Sequence, residues 1–341
     1  MTGVQTCALP ISSAGTGAWG RVNAIQNGSS GAGGLNVKGF GNDFGGQLSA
    51  GDGLPEIFKR LGVFVNSTGS FGTKDRGTNE SGYSFQSAGV TVGADYTFTE
   101  NLLMGIAFGY ENNDVDLHRQ AGDLETNSYS GSAYGIFNKD NYYIDGVVSI
   151  GSTEIDTDRN IKYTTATETV DSVARGNTDA MKYEAGISGG YQFAINKFLI
   201  NPYVGFDYSK FAVQGYDEKG GAGWAVHYSS QDIESIQSKV GMRSAYIIST
   251  PVGVIVPQLS AEWVHEYGYN QRTQKTDFVQ DTSGATLNII SDKPDRDFMT
   301  AGFNISGQFA HDISGFVGYE IVLLREDVSN HTVSGGIRMQ F

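Results

Sequence analysis

The chain has 341 residues and a formal net charge of −14, with 47 Gly, 18 Tyr and 19 Phe against only 6 Pro and 3 Trp. That acidity excludes a nucleic-acid partner, because phosphate binding needs a basic surface to displace counterions. No apolar run approaches the ~20 residues of a spanning helix, yet a mean hydropathy of −0.26 leaves a membrane barrel open, whose strands need only ~9–11 residues with one apolar face.

In chain order, the opening MTGVQTCALPIS holds the single cysteine, Cys7, and lacks the basic start and long apolar core of a secretory signal. Residues 1–12 read as a non-native or truncated leader. Residues 13–60 read as a linker or passenger remnant, in which Ala18–Asn27 has helical character before GSSGAGG breaks it. From 61 to 341 the pattern changes to strand period. LGVFVNSTGSFG, SFQSAGVTVGADYTFT, NLLMGIAFGY, YSGSAYGIF, YYIDGVVSIG and YEAGISGGYQFA come first. KFLINPYVGFDYSKF, SIQSKVGMRSAYII, GVIVPQLSAEWVHEY, FMTAGFNISGQFA, SGFVGYEIVLL and TVSGGIRMQF complete about twelve strands.

The connections alternate in length. Tight turns fall at residues 100–101, 139–141, 196, 250–251 and 311–312, and polar loops lie between them, the longest over 112–127, 156–179, 214–232 and 270–295. Short turns at one rim and long loops at the other are the layout of an outer-membrane barrel. Both faces agree. In the second strand Val90, Val92, Ala94, Tyr96 and Phe98 alternate with Gly89, Thr91, Gly93, Asp95 and Thr97. A soluble sandwich alternates as well, but Tyr and Phe recur near the strand ends, where a membrane barrel carries its interfacial girdles. The fold class is therefore all-β, a transmembrane antiparallel β-barrel of about 12 strands.

The same alternation points Asp95, Asp145, Glu184, Asp207, Lys239, Arg243, Glu262, Glu320 and Arg338 inward, since charge on the lipid face costs ~2–4 kcal/mol for Arg or Lys at midplane. They either line a hydrated pore or pair across the lumen and stiffen the barrel. Gly89, Gly93, Gly186, Gly190 and Gly205 on that face leave room inside.

The stretches LSAGDGLPEIFKRLGVFVNSTGSFG and GADY…NLLMGIAFGY and the terminal GGIRMQF resemble the translocator β-barrel of autotransporters, the type Va secretion proteins, over about residues 51–341. The resemblance implies an N-terminal helix threading the pore, export of the chain's own N-terminal passenger, and anchorage in the outer membrane of a Gram-negative bacterium with loops facing the exterior. It also implies that Val333, Ile337, Met339 and Phe341 form the strand read by the outer-membrane assembly machinery. The partners implied are outer-membrane lipid, that machinery and the passenger.

A stand-alone porin or loop-mediated adhesin is the alternative, followed by a rim hydrolase built on His118 with Asp114, Asp116 and Asp123. The domain itself reads as no enzyme. Its five histidines have no metal-ligand spacing, GDG at Gly51–Gly53 lacks a nucleophilic serine, and DTDR at Asp156–Arg159 lacks Ca²⁺-loop spacing. The sequence asks for no cofactor or metal.

Overall fold

The computed structural model of the protein describes residues 60–268, 271–293, 295–309 and 312–341. The leader, the linker helix and the expected pore-threading segment lie outside the described residues. Twelve antiparallel strands form the barrel wall. They are β1 (Leu61–Lys74), β2 (Tyr83–Thr99), β3 (Leu102–Leu117), β4 (Gly122–Lys139), β5 (Tyr142–Thr164) and β6 (Thr169–Tyr191), followed by β7 (Phe198–Val213), β8 (Gln231–Tyr246), β9 (Gly253–Glu266), β10 (Asp297–Phe309), β11 (Ile313–Leu323) and β12 (Val328–Gln340). Each strand pairs with its sequence neighbour, and β12 pairs with β1 over thirteen residue pairs from Gly62↔Gln340 to Lys74↔Val328, which closes the cylinder. Closure removes the sheet edges, the only way a sheet can cross hydrocarbon with every backbone group satisfied.

The turns at one rim are tight. Asp140 (φ 53°) and Asn196 (φ 56°) take the left-handed backbone that two-residue hairpins require, and Asp and Asn tolerate it better than other side chains. At the other rim the expected long loop 112–127 shrinks to residues 118–121, and 156–179 shrinks to 165–168, because the strands themselves continue. The reason is a reversal of polarity along each strand. Near the middle the outward residues are apolar. Beyond Tyr110 and Tyr129, the outward residues become Asp114, Asp116, Asp123, Glu125, Asp156 and Asp158, while Val115, Leu124 and Ile155 turn inward. Tyr83, Phe85, Val115, Leu124, Ile155, Ala180 and Val213 pack together there. Below the tyrosines a strand carries its apolar residues outside; above them it folds like half of a water-soluble sheet with its apolar side in.

The connections that remain long carry their own structure. Tyr216–Asp217, Val226–Tyr228, Thr273–Phe278 and Leu287–Ile290 form a small second sheet joining the β7–β8 and β9–β10 loops. A buried fork ties it to the wall. Arg159 Nε and Nη2 donate to Glu218 Oε1 (2.8 Å) and Oε2 (2.5 Å), Nη2 also donates to Trp224 O (2.8 Å), and the Val226 N–H donates to Glu218 Oε2 (2.9 Å).

Candidate functional site: the barrel interior

The outer surface defines what the interior is. Val92, Phe108, Val204, Leu259, Val317 and Ile337 all point outward and are 47–65% exposed. A soluble protein does not expose so large a continuous apolar belt. Rings bound the belt on both sides. Tyr96 with Phe98, and Tyr142 and Phe193 with Tyr191, lie at the turn end. Tyr110 with Tyr129, Tyr267 with His265, and Phe71 and Tyr319 with His331 lie at the loop end. From Phe98 to Val90, eight residues at ~3.4 Å each and a tilt of ~40° span roughly 21 Å of height, close to an apolar band of ~25 Å.

Inside, the nine charged residues singled out from the sequence share the inward phase, and the structure resolves them into three groups. Arg338 on β12 forks onto Asp95 on β2, Nη2 to Oδ1 at 2.6 Å and Nε to Oδ2 at 3.2 Å, with both side chains buried. In the second group Asp145 accepts from Ser188 Oγ on both oxygens (2.8 and 2.7 Å), the Tyr203 hydroxyl donates to Glu262, and the Arg243 guanidinium lies 4.2 Å over the Tyr203 ring. The third pairs Lys239 with Asp207 at 2.7 Å and Lys182 with Glu184 at 2.9 Å. Glu320 on β11, opposite Gly302 on one side and Thr332 on the other, lies within electrostatic reach of Glu262, Lys239 and Arg243 of the second and third groups. Charges removed from water in this way are held by partners and hydrogen bonds, the condition under which burial is tolerable.

Gly89, Gly93, Gly186, Gly190 and Gly205 also lie on the inward phase, but the space over two of them is filled by the protein's own rings. A Cβ on Gly93 would overlap the Phe64 ring, and one on Gly190 would overlap the ring of Tyr143. Sequence reasoning missed this inner aromatic layer. Phe64, Tyr134 and Tyr143 are buried in the interior, and Phe64 meets Tyr134 edge-on at a centroid distance of 6.3 Å. The signal was present in part: Tyr143 stands two residues before Asp145 on the same face, and Gly93 stands directly across from Phe64. Lys182 was missed as well, although it stands two residues before Glu184 on the same face.

The terminal residues divide by face. Val333, Ile337 and Met339 point outward, and the Phe341 N–H donates to Leu61 O at 3.0 Å, carrying the ladder past the end of β12. The residues of the rim-hydrolase alternative fall at the tip of the β3–β4 hairpin. His118 begins a 3-10 turn, Asp114 and Asp116 face out from β3, and Asp123 faces out from β4. Among the described residues no group of three or more His, Cys, Asp or Glu side chains could hold a metal ion.

A closed twelve-stranded barrel with a polar, partly filled interior is shared by several membrane families, and comparison with known proteins decides among them. The family described as the autotransporter beta-domain matches residues 63–320. The chain belongs to the autotransporter β-domain family. The translocator domain of autotransporter NalP from Neisseria meningitidis superposes with a TM-score of 0.63 at 18% identity, covering 85% of this chain and 91% of that one. The β-domain of the Bordetella autotransporter BrkA superposes at 0.61 with 15% identity, covering 83% and 100%. Esterase EstA of Pseudomonas aeruginosa is 24% identical over 256 residues, which is 74% of this chain and 38% of that protein. The chain thus spans well under half the length of this relative.

Proposed function

We propose that this domain anchors an autotransporter in the outer membrane and exports its own N-terminal passenger through or alongside its lumen, with the long loops facing the cell exterior. The observation that carries the reading is the closed barrel of the autotransporter β-domain family, apolar outside and polar within. Catalysis, where such proteins have it, belongs on this reading to the passenger, as the name of the esterase relative suggests. The acidic outward residues above the loop-end tyrosines fit a hydrated cell surface. Outer-membrane lipid would contact the belt between the girdles, and Val333, Ile337, Met339 and Phe341 would engage the assembly machinery as the last strand enters. The nine inward charges and the inward glycines would line the conduit.

Single cysteines test the orientation. With Cys7 replaced by Ser, Gly284→Cys in the β9–β10 loop should react with a membrane-impermeant maleimide on intact cells, and Asp140→Cys in the β4–β5 turn only after the outer membrane is opened. The reverse pattern overturns the proposed direction of export.

A further inference from the structure

Eleven of the twelve strand pairs join neighbours in the chain, and where the connection is a tight turn it sets the register. The pair that closes the barrel, β1 with β12, has no such connection. Its alternation forbids a slip of one residue, which would turn Arg338 to the lipid and Ile337 inward. A slip of two residues keeps every side chain on its proper face, so the hydrophobic pattern does not resist it. Something else must fix the seam.

We propose that Arg338 is the residue that keys the closing register, through a path across β1 that only Gly62 leaves open. Arg338 stands opposite Phe64, and its side chain leans along β1 to reach Asp95 on β2, the residue directly opposite Gly62. A Cβ on Gly62 would overlap both the Arg338 guanidinium and the Asp95 carboxylate. The charge pair therefore spans three strands, β12, β1 and β2, with the middle strand reduced to bare backbone beneath it. The Tyr134 hydroxyl caps it from β4 at 3.4 Å, and Arg338 Nη1 donates to Gln340 Oε1 at 3.1 Å.

A two-residue slip moves Arg338 roughly 7 Å along β1. In one direction its guanidinium passes beyond the end of the strand; in the other it lands on the Phe64 ring. Either slip leaves Asp95 buried without its cation, among the more costly arrangements in a protein interior. A second fit repeats the device with the roles exchanged. Asn66 on β1 lies over Gly336 on β12, where a Cβ would overlap its carboxamide.

The test reads register directly. Ser67 and Gly335 are Cα partners on the lipid side of the seam. In the full chain with Cys7 replaced, inserted in a Gram-negative outer membrane, Ser67→Cys with Gly335→Cys reports the native register on oxidation, and Ser67→Cys with Val333→Cys or with Ile337→Cys reports the slipped ones. With Arg338 intact only the native pair should cross-link efficiently. In Arg338→Ala and Gly62→Ala backgrounds the slipped products should rise roughly tenfold or more over background. A pair that merely stabilised the barrel would lower its resistance to heat and leave the native register alone, and that result overturns the proposal. If the single variants do not accumulate, the exchange Asp95→Arg with Arg338→Asp decides. Recovery of folded barrel in the native register supports the key, and failure to recover it overturns the key.

Discussion

Ile106 offers the sharpest test of which side of this barrel faces lipid. It lies outward on β3 near the middle of the apolar belt, 56% exposed, between Ala94 on β2 and Ala133 on β4, with no charged group on the same row of these strands. If lipid covers it, Ile106→Arg places a guanidinium near the bilayer midplane at a cost of ~2–4 kcal/mol, or roughly 30- to 900-fold in the folding equilibrium. If water covers it, exchanging an exposed Ile for Arg changes stability by no more than ~0.5 kcal/mol. The two readings differ several-fold, beyond the error of a denaturant extrapolation. Reversible guanidinium unfolding of the domain in phospholipid vesicles, followed by tryptophan fluorescence, measures it. Thr91→Ser, on the inward face of β2 opposite Gly109, serves as a control that leaves the outer surface intact. A loss below ~0.5 kcal/mol for Ile106→Arg would refute the lipid-facing assignment of the whole outward phase.

Three further outcomes follow from the interior and the loops. Lys239→Met should destabilise by ~3–5 kcal/mol because it strands the buried Asp207 carboxylate, and adding Asp207→Leu should recover most of the loss, as read in the same unfolding assay. Glu218→Ala breaks the fork with Arg159 and should free the small loop sheet, so that limited proteolysis cuts within residues 214–230 at least tenfold faster while the barrel core stays resistant. Asp123 is held above the usual carboxylate range by desolvation and then by Asp158, Asp116 and Glu125, all at the loop end and outside the membrane belt. Its folded form therefore binds its proton more tightly than the unfolded form, and the local hairpin weakens as pH rises through that interval. Asp123→Asn should protect the β3–β4 tip from hydrogen exchange at pH 7 and give no such gain below the ordinary carboxylate range.

Much of the barrel was legible because membrane strands obey a strict two-residue period between rim signals. Strand number, the tight turns and the inward phase of Asp95 or Arg338 all follow from that period. Less legible were the strand ends. Residues such as Asp114, Asp116, Asp156 and Asp158 look like loop by polarity, yet they continue the strands, because beyond the apolar belt the outward face is polar and Val115, Leu124 and Ile155 carry the alternation inward. Partnerships were also hidden. That Arg338 meets Asp95, 243 positions away in sequence, depends on closure of the seam, and that Phe64 points inward depends on Gly93 across the strand pair. The Arg159–Glu218 fork depends on how two loops fold over one another, for which no local signal exists.

Export itself is the claim on which the reading turns. A signal peptide and an epitope-tagged reporter passenger, fused ahead of residue 13 and expressed in a Gram-negative host, measure it through digestion of intact cells by added protease. The account predicts that the tag is lost from intact cells while the barrel stays in the membrane fraction and a periplasmic marker stays whole. A tag that survives until the outer membrane is permeabilised would contradict it.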